Sequence, residues 1–299
     1  LDKNKVKKIA VIGPNADDVS VLLGNYSGTP ASPKTVLKGF SEIKGINVNY
    51  AKGCELTGND TKGFAQAVKC AEKSDVIILC LGLSPKIEGE ECDTNGYERA
   101  SLGLPGVQEE LIKRLRKTGK PVIVILLSGG ALSLKPDSAD AVLQAWYPGQ
   151  TGGTAIADIV FGAVSPSGKL PVTVYKNVKQ LPAFESYEMK GRTYRYFKGT
   201  PLYPFGHGLS YSKFKYSDFR IKRKAGNFAV NVKLKNTGRV KAAEIVQLYI
   251  ALPGAGKTSP IRQLAGFEKI QLEPGEKKNV KFTVSPGQLQ VINQKGERE

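Results

Sequence analysis

Two uninterrupted apolar runs, Val76-Ile77-Ile78-Leu79-Cys80-Leu81 and Val122-Ile123-Val124-Ile125-Leu126-Leu127, constrain this chain more than any other feature. A strand with one wet face alternates apolar and polar residues. A run without alternation is buried on both faces, as in parallel sheets covered by helices above and below. Each run follows a segment of helical period. Gly63–Ser74 puts Phe64, Ala67, Val68 and Ala71 on one face. Gln108–Lys117, opened by Pro105 and capped by Gly119, turns Leu111 and Leu115 inward. A further run, Lys8-Ile9-Ala10-Val11-Ile12, ends in the turn chemistry of Gly13-Pro14-Asn15-Ala16-Asp17-Asp18. Ala141–Trp146 leads through Pro148-Gly149-Gln150 into a helix over Gly153–Phe161. Strands alternating with helices predict the α/β class, a mostly parallel, doubly wound (Rossmann/flavodoxin-like) sheet over residues 1–179.

Past that point the texture changes. Residues 180–213 are rich in Tyr, Gly, Phe and Pro with little periodicity, which suits an aromatic-rich linker packed against a neighbour. Phe228–Leu234, Ile245–Ile250 and Lys278–Val284 then alternate in and out, with turns at Asn236-Thr237-Gly238 and Glu273-Pro274-Gly275-Glu276. Short strands at this spacing predict an all-β sandwich over 214–299. After Lys295-Gly296-Glu297-Arg298-Glu299 an antiparallel sheet would expect one more strand. A length of 299 residues suits two such cores better than one.

Several function classes recede on composition. Forty-four Lys and Arg against 27 Asp and Glu give a formal charge of +17, enough to draw polyanions by field alone. The basic residues are spread along the chain, and the densest group, Arg220-Ile221-Lys222-Arg223-Lys224, reads as a solvated face at a strand start. Nucleic acid is therefore not an expected partner. No apolar run approaches the roughly 20 residues that cross a bilayer, so no membrane partner is expected. Cys54, Cys70, Cys80 and Cys92 have no C-x-x-C spacing, and Cys70 and Cys80 read as buried thiols. With His207 as the single histidine, neither a Ser-His-Asp triad nor a multi-histidine metal centre is expected.

Candidate chemistry gathers at strand ends. The loop after Ile12 lacks G-x-G-x-x-G spacing, and Pro14 removes an amide that a phosphate cradle would use. Ser128-Gly129-Gly130 follows a strand without a G-x-S-x-G elbow, so Ser128 reads as a turn residue. The stretch Ile87-Glu88-Gly89-Glu90-Glu91 crowds three carboxyl groups after the first long buried strand, at the sheet edge where open α/β sheets place ligands. Crowding and burial both raise a carboxyl pKa, and a protonated glutamic acid is what a departing glycosidic oxygen needs. An acidic surface loop in a basic protein is the other reading of the same residues.

That loop, with Glu98-Arg99 and Leu104-Pro105-Gly106-Val107-Gln108, resembles the acid/base loop of family 3 glycoside hydrolases, the β-glucosidases and β-xylosidases. Further pieces match in order: Ile9–Asp17, Gly24-Asn25-Tyr26-Ser27-Gly28, Trp146-Tyr147-Pro148-Gly149-Gln150, Pro166–Pro171 and Pro204–Tyr211. Beyond Phe214 the chain is similar to the fibronectin type III-like domain of such enzymes. The resemblance implies the C-terminal part of a retaining β-glycosidase that removes terminal β-linked glucose or xylose. Its nucleophilic aspartate would lie on an N-terminal (β/α)8 barrel, expected to lie outside residues 1–299.

By that resemblance Glu90 is the general acid/base and Glu88 the second candidate. Glu98-Arg99 stands where the family carries Asp-Arg, and Asp93–Tyr97 lengthens the gap before it. No cofactor or metal is implied. The implied partners are the β-linked substrate and the barrel, the implied location is secreted or periplasmic, and the chain alone is expected to be inactive. Gly191–Phe197 leans toward the xylosidase branch. The alternative is a non-catalytic carbohydrate- or protein-binding scaffold.

Overall fold

The computed structural model describes residues 1–88, 100–183, 185–252, 259–292 and 295–298. They gather into two compact units, one of Leu1–Ala163 with Lys176–Val178 and one of Val164–Tyr175 with Lys179–Glu299. Compactness thus divides the chain ahead of the change in texture at residue 180. The cause is a back-fold inside the second unit. There Val174 N donates to Tyr203 O at 2.9 Å, Leu170 N to His207 O at 2.8 Å and Gly206 N to Leu170 O at 2.8 Å.

In the first unit β1 (Lys8–Ile12), β2 (Asn47–Ala51), β3 (Val76–Gly82), β4 (Val122–Leu127) and β5 (Ala141–Gln144) form one parallel sheet. Their order is β2-β1-β3-β4-β5. Helices α1 (Val36–Ser41) and α4 (Gly152–Val160) cover one face through Val36, Phe40, Ile156 and Val160. These pack on Ile9, Val11, Ile78 and Ile125. Helices α2 (Phe64–Glu72) and α3 (Gln108–Arg116) cover the other through Ala67, Cys70, Leu111 and Leu115, which meet Ile12, Ile77, Leu79 and Val124. All seven residues of β3 are buried, as its unbroken apolar run requires. Each aliphatic side chain so buried contributes roughly 1.5–3 kcal/mol.

Two elements, β2 and α1, are ones the sequence patterns did not reveal. β2 pairs with β1 alone, and its edge position leaves Asn47 and Tyr50 exposed, so Asn-Val-Asn-Tyr-Ala carries no apolar run. The loop after Gly13 makes one 3-10 turn at Ser20–Leu22, and the crossover helix starts only after Thr35. The Thr35 hydroxyl caps that helix by accepting from Lys38 N at 3.2 Å.

The second unit opens on irregular chain with a short helix, α5 (Thr193–Tyr196). It then folds β6 (Phe214–Lys224), β7 (Asn227–Asn236), β8 (Ala242–Ile250), β9 (Gln263–Leu272) and β10 (Lys277–Val284) into two antiparallel sheets, β10-β7-β6 and β8-β9. Leu234 and Val280 of the first meet Val246, Ile270 and Leu272 of the second. The Arg220–Lys224 group closes β6 rather than opening a strand.

Candidate functional site

The loops that leave the carboxyl ends of β1, β3, β4 and β5 surround the place where strand order reverses, between β1 and β3. Glycine lets the strands sit close there. Gly13 (φ +125°) and Gly82 (φ +141°) end β1 and β3, and a Cβ on either would lie 1.9 Å from a neighbouring carbonyl oxygen, that of Cys80 or Leu127.

Three side chains fasten the loops at this edge. Buried Asn15 donates from Nδ2 to Leu83 O at 2.7 Å, tying the β1 loop to the chain leaving β3. Gln108, fully buried at the start of α3, accepts from Gly82 N at 2.9 Å. Its Nε2 donates to Gly82 O at 3.0 Å and Leu56 O at 2.9 Å. The last residue of β3 is thereby held from both sides. Glu88 follows a 3-10 turn, Pro85–Ile87, and its carboxylate accepts three hydrogen bonds. They come from Gly129 N at 2.6 Å, from Gly130 N, and from the Tyr147 hydroxyl at 2.6 Å. Two successive amides with no side chains in the way make an anion-holding concavity, and the glycine pair after β4 supplies it.

Of the two carboxyl groups singled out in sequence, Glu88 sits at this edge as an acceptor joining the loops after β3, β4 and β5. Glu90 lies outside the described residues, as do Glu91, Cys92, Glu98 and Arg99. Ser128 is a turn residue as expected: its hydroxyl donates to Gly130 O at 2.8 Å and accepts from Gln144 at 3.1 Å. Gln108, Tyr147 and the Gly129-Gly130 amides were not singled out as site residues. The available signal was a polar residue at the start of a helix and two glycines at the end of a buried strand.

Two aromatic residues near this edge adopt left-handed backbone, Tyr26 (φ 58°) and Trp146 (φ 56°). Such strain in non-glycine residues collects at functional sites. Tyr26 is 87% exposed. Its segment is tied to the Trp146 loop by Gly149 N to Leu22 O at 2.7 Å and Ala31 N to Gln150 Oε1 at 2.8 Å.

The remaining candidates are structural. Cys54, Cys70 and Cys80 are buried free thiols, and burial raises all three, Cys54 and Cys70 to about 11. His207, in the second unit, stacks on Tyr203 at 5.2 Å between ring centres. Burial and then the Lys169 ammonium hold its pKa below the ordinary histidine value. Among the described residues no group of His, Cys, Asp or Glu could hold a metal ion, and no helix is long and apolar enough to cross a membrane.

Comparison with known proteins places the chain by family. The family model for the glycosyl hydrolase family 3 C-terminal domain matches residues 1–211, and that for a fibronectin type III-like domain matches residues 244–298. A beta-xylosidase of Formosa agariphila is 39% identical over 98% of the chain and 43% of its own length. A periplasmic beta-glucosidase of Salmonella typhimurium is 35% identical over 98% of the chain and 43% of its own length. The solved structure of a β-glucosidase from Erythrobacter marinus superposes with a TM-score of 0.86 at 37% identity, covering 100% of this chain and 44% of that one. The chain spans less than half the length of the curated relatives it matches.

Proposed function

The chain belongs to glycoside hydrolase family 3, and on that footing we propose that it supplies the general acid/base to a retaining β-glycosidase acting on terminal β-linked glucose or xylose. Glu90 is the proton donor in this reading. It protonates the glycosidic oxygen while an aspartate on a partner (β/α)8 barrel attacks the anomeric carbon. As a carboxylate it then takes a proton from the water that releases the sugar. The two carboxyl groups of such a pair must stand about 5–5.5 Å apart, so the loop that carries Glu90 has to be held firmly against the barrel.

The single observation that carries the reading is the anchoring of Glu88. Its carboxylate is occupied by Gly129 N, Gly130 N and the Tyr147 hydroxyl, which suits a residue that positions the loop and leaves the proton transfer to Glu90. Gln108 braces the strand end ahead of the loop. The exposed ring of Tyr26 offers a face for the leaving sugar. Secretion or a periplasmic location goes with this reading, and the name of the Salmonella relative supports it.

The test is made in the full-length enzyme. Glu90→Gln should lower kcat/KM on alkyl or oligosaccharide substrates by about 10²–10⁴-fold, the usual contribution of a positioned acid. The loss should be far smaller on dinitrophenyl glycosides, whose leaving group needs no proton. Glu88→Gln should lower both substrate classes alike. Full activity of Glu90→Gln, or a leaving-group dependence that appears in Glu88→Gln instead, would overturn the assignment.

A further inference from the structure

The β10-β7-β6 sheet buries one face against β8-β9, and its other face gathers positive charge. Lys215, Lys235 and Lys277 stand abreast across the three strands in direct register. Two positions along β7, Lys233 lies between Ser217 and Asn279; two further, Arg220 and Lys281 flank Asn231. Lys222 and Lys224 continue the same side of β6 beyond the bulge. Side chains two apart on a strand, and those directly opposite across strands, share a face, so these rows form one surface.

Like charges directly opposite each other in a sheet oppose folding. Asp218, on the bulge at φ 54°, pairs with Lys233 at 2.5 Å. Its carboxyl is held below the ordinary range first by the Lys233 hydrogen bond, with Arg220 and Lys277 adding to it. No salt bridge reaches Lys215, Lys235 or Lys277 among the described residues. Those three lysines, with Lys233 and Asp218, line one depression of roughly 470 Å³.

We propose that this face is a docking surface for an acidic, uronate-bearing polysaccharide. The step rests on the glycosidase reading, because a catalytic domain that attacks chain ends gains turnover when its neighbour holds the polymer nearby. Rows of ammonium groups match a chain of carboxylates, and the registered rows contain no aromatic ring of the kind that stacks single-stranded bases. Duplex DNA, whose major groove also admits a β-ribbon, is a separate arm of the experiment.

The experiment measures binding of residues 1–299 to polygalacturonate, neutral xylan, duplex DNA and anionic lipid vesicles at two salt concentrations. Polygalacturonate should bind most tightly and weaken as salt rises, and neutral xylan should bind little. Replacing Lys215, Lys235 and Lys277 together by Ser should cost about tenfold or more in affinity and flatten the salt dependence. The same three changed to Arg should keep it. Replacing Lys44, Lys69 and Lys113 of the first unit by Ser removes equal charge and should leave affinity within about twofold.

Equal losses from the two Ser triples would reduce the effect to net charge and overturn the proposal. So would tighter binding to DNA or vesicles than to polygalacturonate. In the full-length enzyme the first Ser triple should leave turnover of small aryl glycosides unchanged. Binding without a Glu90 dependence of activity would sink the catalytic reading, whereas Glu90 dependence without binding would sink only the docking surface.

Discussion

Gln108 shows how a single side chain can hold a site together without touching it. Both polar atoms of its amide are satisfied inside the protein, on Gly82 and on Leu56. Gln108→Leu keeps the volume but removes the bonds to the buried Gly82 amide and carbonyl and to the half-buried Leu56 carbonyl. The expected loss is about 3 kcal/mol or more, read as a lower urea midpoint with an unchanged slope. Neither Gln108 nor the anchoring of Glu88 was legible beforehand. A glutamine at a helix start looks like a surface residue, and a glutamate in an acidic loop looks alike whether it transfers a proton or grips a pair of amides.

At the level of elements, the central strands were readable because burial on both faces leaves a mark in composition that edge position does not. β3 and β4 carry that mark; β2 and β9 are short of it, because each meets solvent along part of its length. The junction of β3 with β4 also depends on Gly82. Gly82→Ala would force a Cβ onto the Leu127 carbonyl at a φ that alanine avoids. It should destabilise the chain by about 3 kcal/mol or more. Gly45→Ala, left-handed but facing open space, should cost about 1 kcal/mol. Thermal unfolding of the two variants side by side checks whether close approach or backbone preference dominates.

For the molecule as a whole, the proposed division of labour places one catalytic carboxyl here and the other on a barrel. One carboxyl cannot complete double displacement. Residues 1–299 alone should therefore give no turnover of aryl β-glycosides. Joining them to a family 3 barrel should restore turnover that Glu90→Gln then removes. Turnover by the isolated chain, surviving Glu90→Gln, would show that the chemistry lies elsewhere.

By itself the sequence determined the kind of element, and the face it buries, wherever a hydrophobic period is sustained, since that period is a local property of the chain. It also set the order of motifs that relate the chain to its family. Tertiary structure alone decided what meets across distance. Glu88 finds the amides of Gly129 and Gly130 more than 40 residues away, and Lys215, Lys235 and Lys277 come abreast only through strand register. Alternation along a strand says which side a residue takes; hydrogen bonding between distant segments says which residues become its neighbours.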